Sequence, residues 1–191
     1  PAAELFEAMD AANVDLKAFS DDFYHRVCGG HLAPVLDTLE YLRHHTRVWI
    51  ELTTLLIPGY NDSDGEIQAM TEWVVAHLGP DVPMHFTAFH PDWKLLDAPP
   101  TPPATLTRAR EIAQRNGVRY AYTGNVHDSR GGSTWCHDCG ALLIERDWYE
   151  LGTWGLDADG RCAACGTPCA GVFEARPGTW GSRRLPVGMA V

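Results

Sequence analysis

Six cysteines occur in this chain, and four of them form two C-x2-C-G units, Cys136-His137-Asp138-Cys139-Gly140 and Cys162-Ala163-Ala164-Cys165-Gly166, with 22 residues between Cys139 and Cys162. This spacing constrains the fold more than anything else in the sequence. It is close to a zinc-ribbon pattern, and four thiolates make a closed tetrahedral set that suits a structural Zn²⁺ and leaves no open position for chemistry. A single iron in an electron-transfer site is the alternative occupant of the same four thiolates. Gly140 and Gly166 follow each pair where the chain must curl tightly and can demand positive φ. Between the pairs, Leu142 to Trp154 and Leu156 to Arg161, around the Asp157-Ala158-Asp159-Gly160 turn, read as an antiparallel ribbon. A module this small lacks the core to stand without a staple, so metal binding is expected to supply its folding free energy. Of the other two, Cys28, before Gly29-Gly30, reads as a small buried or turn residue rather than a nucleophile, and Cys169 as an available but redundant fifth thiolate.

Paired C-x2-C units without a secretory signal point to metal rather than disulfides, and hence to the cytoplasm. The 191 residues carry a formal net charge of −10 with no Lys/Arg block, which argues against nucleic acid or an anionic membrane surface as partner. The longest apolar run, near Val48 to Ile57, is broken by Glu51 and threonines and falls short of the ~20 residues of a spanning helix. The first ten residues are acidic and begin at Pro1 without an initiator Met, so the chain reads as cut from something longer.

Helical patterns alternate with short strand-like runs through the first two-thirds, the mark of a parallel α/β sheet. The expected order is a helix tail at Pro1–Ala11, a strand at Asn13–Ala18, an amphipathic helix at Leu32–His45 and a strand at Arg47–Ile57. An S-x-x-E capping box, Ser63 with Glu66, opens a helix through Leu78. A third strand at Pro83–Phe89, a proline-rich loop at His90–Ala104, a helix at Thr105–Asn116 stopped by Gly117 and a strand at Val118–Thr123 complete four βα-type units. Composition changes after Gly131-Gly132, which puts a domain boundary near residue 130: residues 1–130 as the α/β part, 131–191 as a small all-β module.

The strands do not read as continuously apolar. Val14, Leu16 and Ala18 alternate with Asn13, Asp15 and Lys17; Val48, Ile50 and Leu52 with Trp49, Glu51 and Thr53; Met84, Phe86 and Ala88 with His85 and Thr87. Each strand therefore has one apolar face for helices and one bearing ionisable groups. Right-handed βα units in barrel order place all helices on one side and leave a concave lumen, lined here by Asp15, Lys17, Glu51, Thr53 and His85. An open sheet with a wet second face is the competing reading. His90, Asn125, His127 and Asp128 fall just past strand C-terminal ends, where α/β proteins place their sites.

Three stretches, Asn13-Val14-Asp15-Leu16-Lys17-Ala18-Phe19, Leu52 to Gly59 followed by Asn61-Asp62, and His85-Phe86-Thr87-Ala88-Phe89-His90-Pro91, closely resemble radical S-adenosylmethionine (SAM) enzymes of the glycyl-radical-activating type, like the pyruvate formate-lyase activating enzyme. Tyr122-Thr123-Gly124-Asn125-Val126-His127-Asp128, followed by the two C-x2-C-G units, is similar to the radical SAM member of the AmmeMemoRadiSam system. The resemblance implies a partial TIM-type (βα)6 barrel, of which this chain is the C-terminal half followed by the zinc-ribbon module. It implies an oxidoreductase or activase that binds a 4Fe-4S cluster and SAM and generates a 5′-deoxyadenosyl radical for hydrogen abstraction. The cluster-binding C-x3-C-x2-C loop is absent here and its place is upstream of Pro1. By the same resemblance Asp15 and Lys17 contact the sugar and methionine portions of SAM, and His90 borders it; the alternative for Asp15 and Lys17 is that they simply pair with each other. The resemblance gives Glu51 and His85 no role and identifies no catalytic residue. The substrate is open, a protein or peptide of the same system being one class. Two rival functions remain: a non-catalytic interaction module built on the zinc ribbon, and electron transfer by iron at a rubredoxin-like site.

Overall fold

The computed structural model describes residues 2–178. The chain divides between Gly131 and Gly132 into two compact units, each with its own contacts. In the first unit a short helix α1 (Ala2–Glu7) leads into β1 (Ala11–Asp15), a turn of helix α2 (Asp21–Phe23) continued by a π-helical turn (Tyr24–Cys28), and then α3 (Leu32–His45), β2 (Trp49–Leu56), α4 (Asp64–His77), β3 (Met84–Ala88), α5 (Pro103–Arg115) and β4 (Ala121–Gly124). The four strands are parallel and lie side by side in chain order. Sequential parallel strands joined by helices are the βα arrangement that the alternating pattern predicts.

One face of the sheet holds the core. Ile50, Leu52 and Leu56 of β2, Met84 and Phe86 of β3 and Ala121 of β4 pack with Leu39 and Leu42 of α3, Ile67, Met70 and Val74 of α4, and Leu106, Ala109 and Ile112 of α5. The burial of β2 alternates strictly along its length, so its odd-numbered residues Trp49, Glu51, Thr53 and Leu55 occupy the other face, half-buried.

Several expected boundaries shift. Strand β1 spans Ala11–Asp15 rather than Asn13–Ala18, so Lys17 lies beyond the ladder. Helix α5 begins at Pro103, two residues earlier than expected, because proline suits a first helical position whose N–H has no helical partner. The last strand starts at Ala121 instead of Val118. The capping box is half made: Ser63 Oγ accepts the Glu66 N–H at 3.3 Å, but the Glu66 carboxylate takes the Phe19 N–H at 2.8 Å instead of returning to the cap. The proline-rich loop after β3 is pinned at its base by buried Thr101, whose hydroxyl oxygen accepts the Phe89 N–H at 2.9 Å.

In the second unit, β5 (Thr134–Trp135), β6 (Leu142–Asp147) and β7 (Glu150–Trp154) form an antiparallel sheet in chain order, preceded by a one-turn helix α6 (Ser129–Gly132) at the junction. The expected ribbon is corrected here. Its hairpin turns at Trp148-Tyr149, inside the first stretch, whereas Leu156–Arg161 joins the structure through isolated bridges Leu156↔Cys162 and Arg161↔Pro168. The Asp157–Gly160 turn does form, closed by the Gly160 N–H on the Asp157 carbonyl at 3.2 Å. Among the described residues no helix is long and apolar enough to cross a membrane.

Candidate metal centre and strand-end site

The two C-x2-C-G units make the same knuckle twice. Gly140 N–H donates to the Cys136 carbonyl at 3.0 Å and Gly166 N–H to the Cys162 carbonyl at 2.8 Å. The return strand is tied alike, Cys136 N–H to Ala141 O at 2.8 Å and Cys162 N–H to Thr167 O at 2.9 Å. Both glycines sit in the left-handed region, at φ of 73° and 77°, as the tight curl requires. Buried Cys136 and Cys162 and exposed Cys139 and Cys165 thereby bring their sulfurs within 4.8 Å of one another. The shortest pairs, Cys136–Cys165 at 3.6 Å and Cys139–Cys162 at 3.7 Å, are far longer than a disulfide, and none of the six cysteines is disulfide-bonded.

Four sulfurs each about 2.3 Å from one tetrahedral ion lie ~3.8 Å apart, so the spacing fits a mononuclear site. The Cys165 thiol, which donates to the Thr167 hydroxyl oxygen at 3.3 Å, is pulled down to about 6, chiefly by its hydrogen bonding with the Thr167 hydroxyl and N–H. Cys139, although the Ala141 N–H favours its thiolate, is pushed up to about 12, chiefly by its hydrogen bonds with Cys165, Cys136 and Cys162. Four thiolates this close repel one another until a cation joins them. Cys169 is buried and stands outside the four-sulfur group. Cys28 ends the π-helical turn, exposed, with its thiol pushed up by burial, a poor nucleophile.

At the C-terminal end of β1, Asp15 and Lys17 pair at 2.9 Å, both side chains partly exposed. The two side chains therefore pair with each other. His90 is separate: it is 76% exposed on the loop after β3, its Nδ1 3.5 Å from Asp92. No hydrogen bond or ion pair joins it to Asp15 or Lys17 among the described residues. Asn125, in the left-handed region after β4, donates to the Ala88 carbonyl at 3.2 Å. Asp128 serves the local backbone: burial raises its carboxyl, but bonds from the Gly131 N–H and the Thr123 hydroxyl, with the charge of Arg110, bring it below the ordinary value. His127 is exposed.

The second face of the sheet carries a polar row that sequence reasoning assembled only in part. Register aligns Asp15 with Thr53, Thr53 with His85 and His85 with Tyr122 across the four strands. Half-buried Glu51 accepts from Trp49 Nε1 at 3.1 Å and faces His85 Nε2 at 2.7 Å, while the His85 ring stacks on Tyr122 at 5.1 Å. Thr53 donates to the Asn13 side-chain oxygen at 2.8 Å. Alternation put Glu51 and His85 on one face; only the strand register makes them partners.

No protein-family model matches the chain. It is 43% identical over 159 residues, 83% of its length, to an uncharacterised protein of Methanocaldococcus jannaschii, and covers 47% of that protein. The chain thus spans about half the length of the curated relative it matches. Among solved structures it is similar to a domain of pyruvate-formate lyase-activating enzyme from Bacteroides vulgatus, with a TM-score of 0.56 at 15% identity over 64% of this chain and 72% of that one. A radical SAM methyltransferase from Sphaerobacter thermophilus aligns with a TM-score of 0.46 at 19% identity, over 69% of this chain and 37% of the other. The fold is therefore a parallel α/β sheet of the kind found in an activating-enzyme domain, joined in this chain to a four-cysteine group able to hold a metal.

Proposed function

We propose that this chain is the C-terminal part of a radical SAM oxidoreductase or activase. Residues 1–130 are the C-terminal half of a partial barrel that contributes to SAM and substrate binding, and residues 131–191 are a zinc-ribbon module. The observation that carries the reading is the placement of Asp15 and Lys17 at the C-terminal end of β1, in a sheet whose fold matches an activating-enzyme domain. SAM presents a carboxylate, which the Lys17 ammonium can meet with an N–H that Asp15 does not use, and ribose hydroxyls, which the Asp15 carboxylate can accept. His90, exposed at the next strand end but one, is free to approach the same ligand. These residues fit SAM. They do not fit the 4Fe-4S cluster, for which this chain has no C-x3-C-x2-C triad, so cluster ligands would have to come from outside these residues. A cluster held by residues outside this chain would supply the electron for reductive cleavage of SAM. This chain's residues bind and orient SAM and shape the face on which a substrate, such as a protein or peptide of the same system, would lie.

The four-cysteine group is read as structural zinc in a cytoplasmic protein, its sulfur spacing equally compatible with iron. The test is anaerobic iron–sulfide reconstitution with a 5′-deoxyadenosine assay, run on the longer polypeptide and on this chain. The longer polypeptide should yield 5′-deoxyadenosine and this chain none above background. Product from this chain alone, or none from a cluster-loaded longer polypeptide supplied with reductant, would overturn the reading.

A further inference from the structure

The backbone from Leu16 to Phe19 leaves the sheet ladder after Asp15 yet is half to fully buried, so its polar groups need partners. Side chains from separate elements supply them. The Tyr24 hydroxyl oxygen accepts the Lys17 N–H at 3.0 Å, Asn61 Nδ2 donates to the Lys17 carbonyl at 2.7 Å, and Thr54 Oγ1 donates to the Leu16 carbonyl at 2.8 Å. All three are buried: Tyr24 is 5% exposed, Thr54 1% and Asn61 0%. Asn61 is itself fixed, accepting the Ile57 N–H at 2.7 Å and donating to the Leu55 carbonyl at 2.9 Å, which ties the turn after β2 to the chain after β1. Tyr24 opens the π-helical turn, and that wider turn ends with the Gly30 N–H on the Tyr24 carbonyl at 3.0 Å. Lys17 is therefore gripped at both its N–H and its carbonyl, while its side chain stays 39% exposed, with the ammonium beside Asp15.

We propose that Tyr24, Thr54 and Asn61 are positioning residues that fix the Lys17 main chain so that its ammonium is held ready for the carboxylate of a ligand at the strand ends. This rests on the reading of Lys17 as a SAM contact. A lysine side chain has four rotatable bonds, and immobilising it on binding costs entropy; a fixed Cα leaves less freedom to lose. Leu16 itself belongs to the core on the helix face of the sheet, so each variant's thermal melt is read beside its ligand affinity to separate a loss of position from a loss of folding.

The test has two arms. On this chain, amide exchange at Lys17 is measured in wild type and Tyr24→Phe. The Lys17 amide should exchange at least about tenfold faster in Tyr24→Phe, and equal rates would overturn the proposal independently of any ligand. On the longer, cluster-loaded protein, SAM affinity is measured by titration beside a thermal melt. Lys17→Ala should weaken SAM ~10- to 100-fold and Tyr24→Phe roughly 3- to 10-fold, with the double variant no weaker than Lys17→Ala alone because Tyr24 acts through Lys17. Thr54→Val should weaken SAM similarly, and Thr54→Ser, which keeps the hydroxyl, should restore it even if Tyr24→Phe folds poorly. An effect of Tyr24→Phe that adds fully to Lys17→Ala, or no effect of Tyr24→Phe and Thr54→Val where Lys17→Ala does weaken SAM, would overturn the positioning role. No effect of Lys17→Ala would overturn the SAM reading itself, whatever the exchange arm gives.

Discussion

Replacing Cys162 by serine removes one of the two buried ligands of the four-sulfur group. Serine is nearly isosteric but does not supply a thiolate, so the change tests the metal rather than the packing. The aliphatic side chains buried among the described residues of the second unit are Leu143, Ile144 and Leu156. At ~1.5–3 kcal/mol each they contribute roughly 5–9 kcal/mol, while a structural zinc in a small module contributes about 10–16 kcal/mol of apparent folding free energy. The metal term is the larger, and three aliphatic side chains do not replace it. Cys162→Ser should therefore lower the metal content from about one ion per chain to near zero and open residues 136–167 to protease. The unit ending at Gly131, with its own core, should keep its melting transition within about 2 °C. Elemental analysis, timed proteolysis with mass readout and a thermal melt of the same preparations provide the three measurements. Full metal stoichiometry in the variant, or unchanged protease resistance without metal, would refute the reasoning. Colour separates the occupants: zinc gives a colourless protein and ferric tetrathiolate a red one.

Three further outcomes follow from the geometry. Gly166→Ala meets open space around an added Cβ, so only the positive φ resists it; the second unit should lose about 1 kcal/mol and keep its metal, whereas Gly131→Ala drives a Cβ to 2.1 Å from Thr123 Oγ1 and should destabilise the first unit more. Burial raises the Glu66 carboxyl above its ordinary value despite the Phe19 N–H, so the folded state holds this proton to higher pH than the unfolded chain does. The contribution from Glu66 therefore improves as pH falls through that window and worsens as pH rises, and Glu66→Gln should melt at or above wild type at pH 7 with the difference shrinking toward about pH 4. Finally, Glu51→Leu alone should destabilise by stranding polar His85, while Glu51→Leu with His85→Leu should recover most of the loss, measured as a double-mutant cycle by denaturant melts.

Much of the fold was legible because its signals are periodic. Helix α3 runs over Leu32–His45 as expected, since Leu39 and Leu42 repeat on one face and bury there. The Glu51/Leu52 alternation gave the two faces of β2, and cysteine spacing gave the metal group. What was not legible depends on partners distant in sequence. Nothing near Asp15 signals that the ladder stops there, because the residues that satisfy Leu16 and Lys17 are 7 to 44 positions away. The capping box located the helix start, with Ser63 as cap, but its second half did not form for the same reason: Phe19, 47 residues earlier, competes for the Glu66 carboxylate. In the second unit the Asp-Gly signal marked a real turn, yet the longer hairpin formed at Trp148-Tyr149, where the sequence offers no glycine and the turn is carried by Trp148 at φ 52°.

The two candidate sites solve one physical problem by different means. Backbone that departs from a helix or ladder must still satisfy its N–H and carbonyl groups, and each site lies where it does so. Around Lys17 the solution is three buried side chains reaching in from other elements, which fixes a short irregular segment without any ion. Around the cysteines it is a pair of knuckles whose main-chain bonds are nearly self-contained, leaving the sulfurs to be reconciled by a cation. The first device spreads its support through an existing core, so single losses should degrade position before stability. The second concentrates support at one point, so a single thiolate should decide whether its unit is ordered at all. That difference in failure mode distinguishes a binding site from a structural staple.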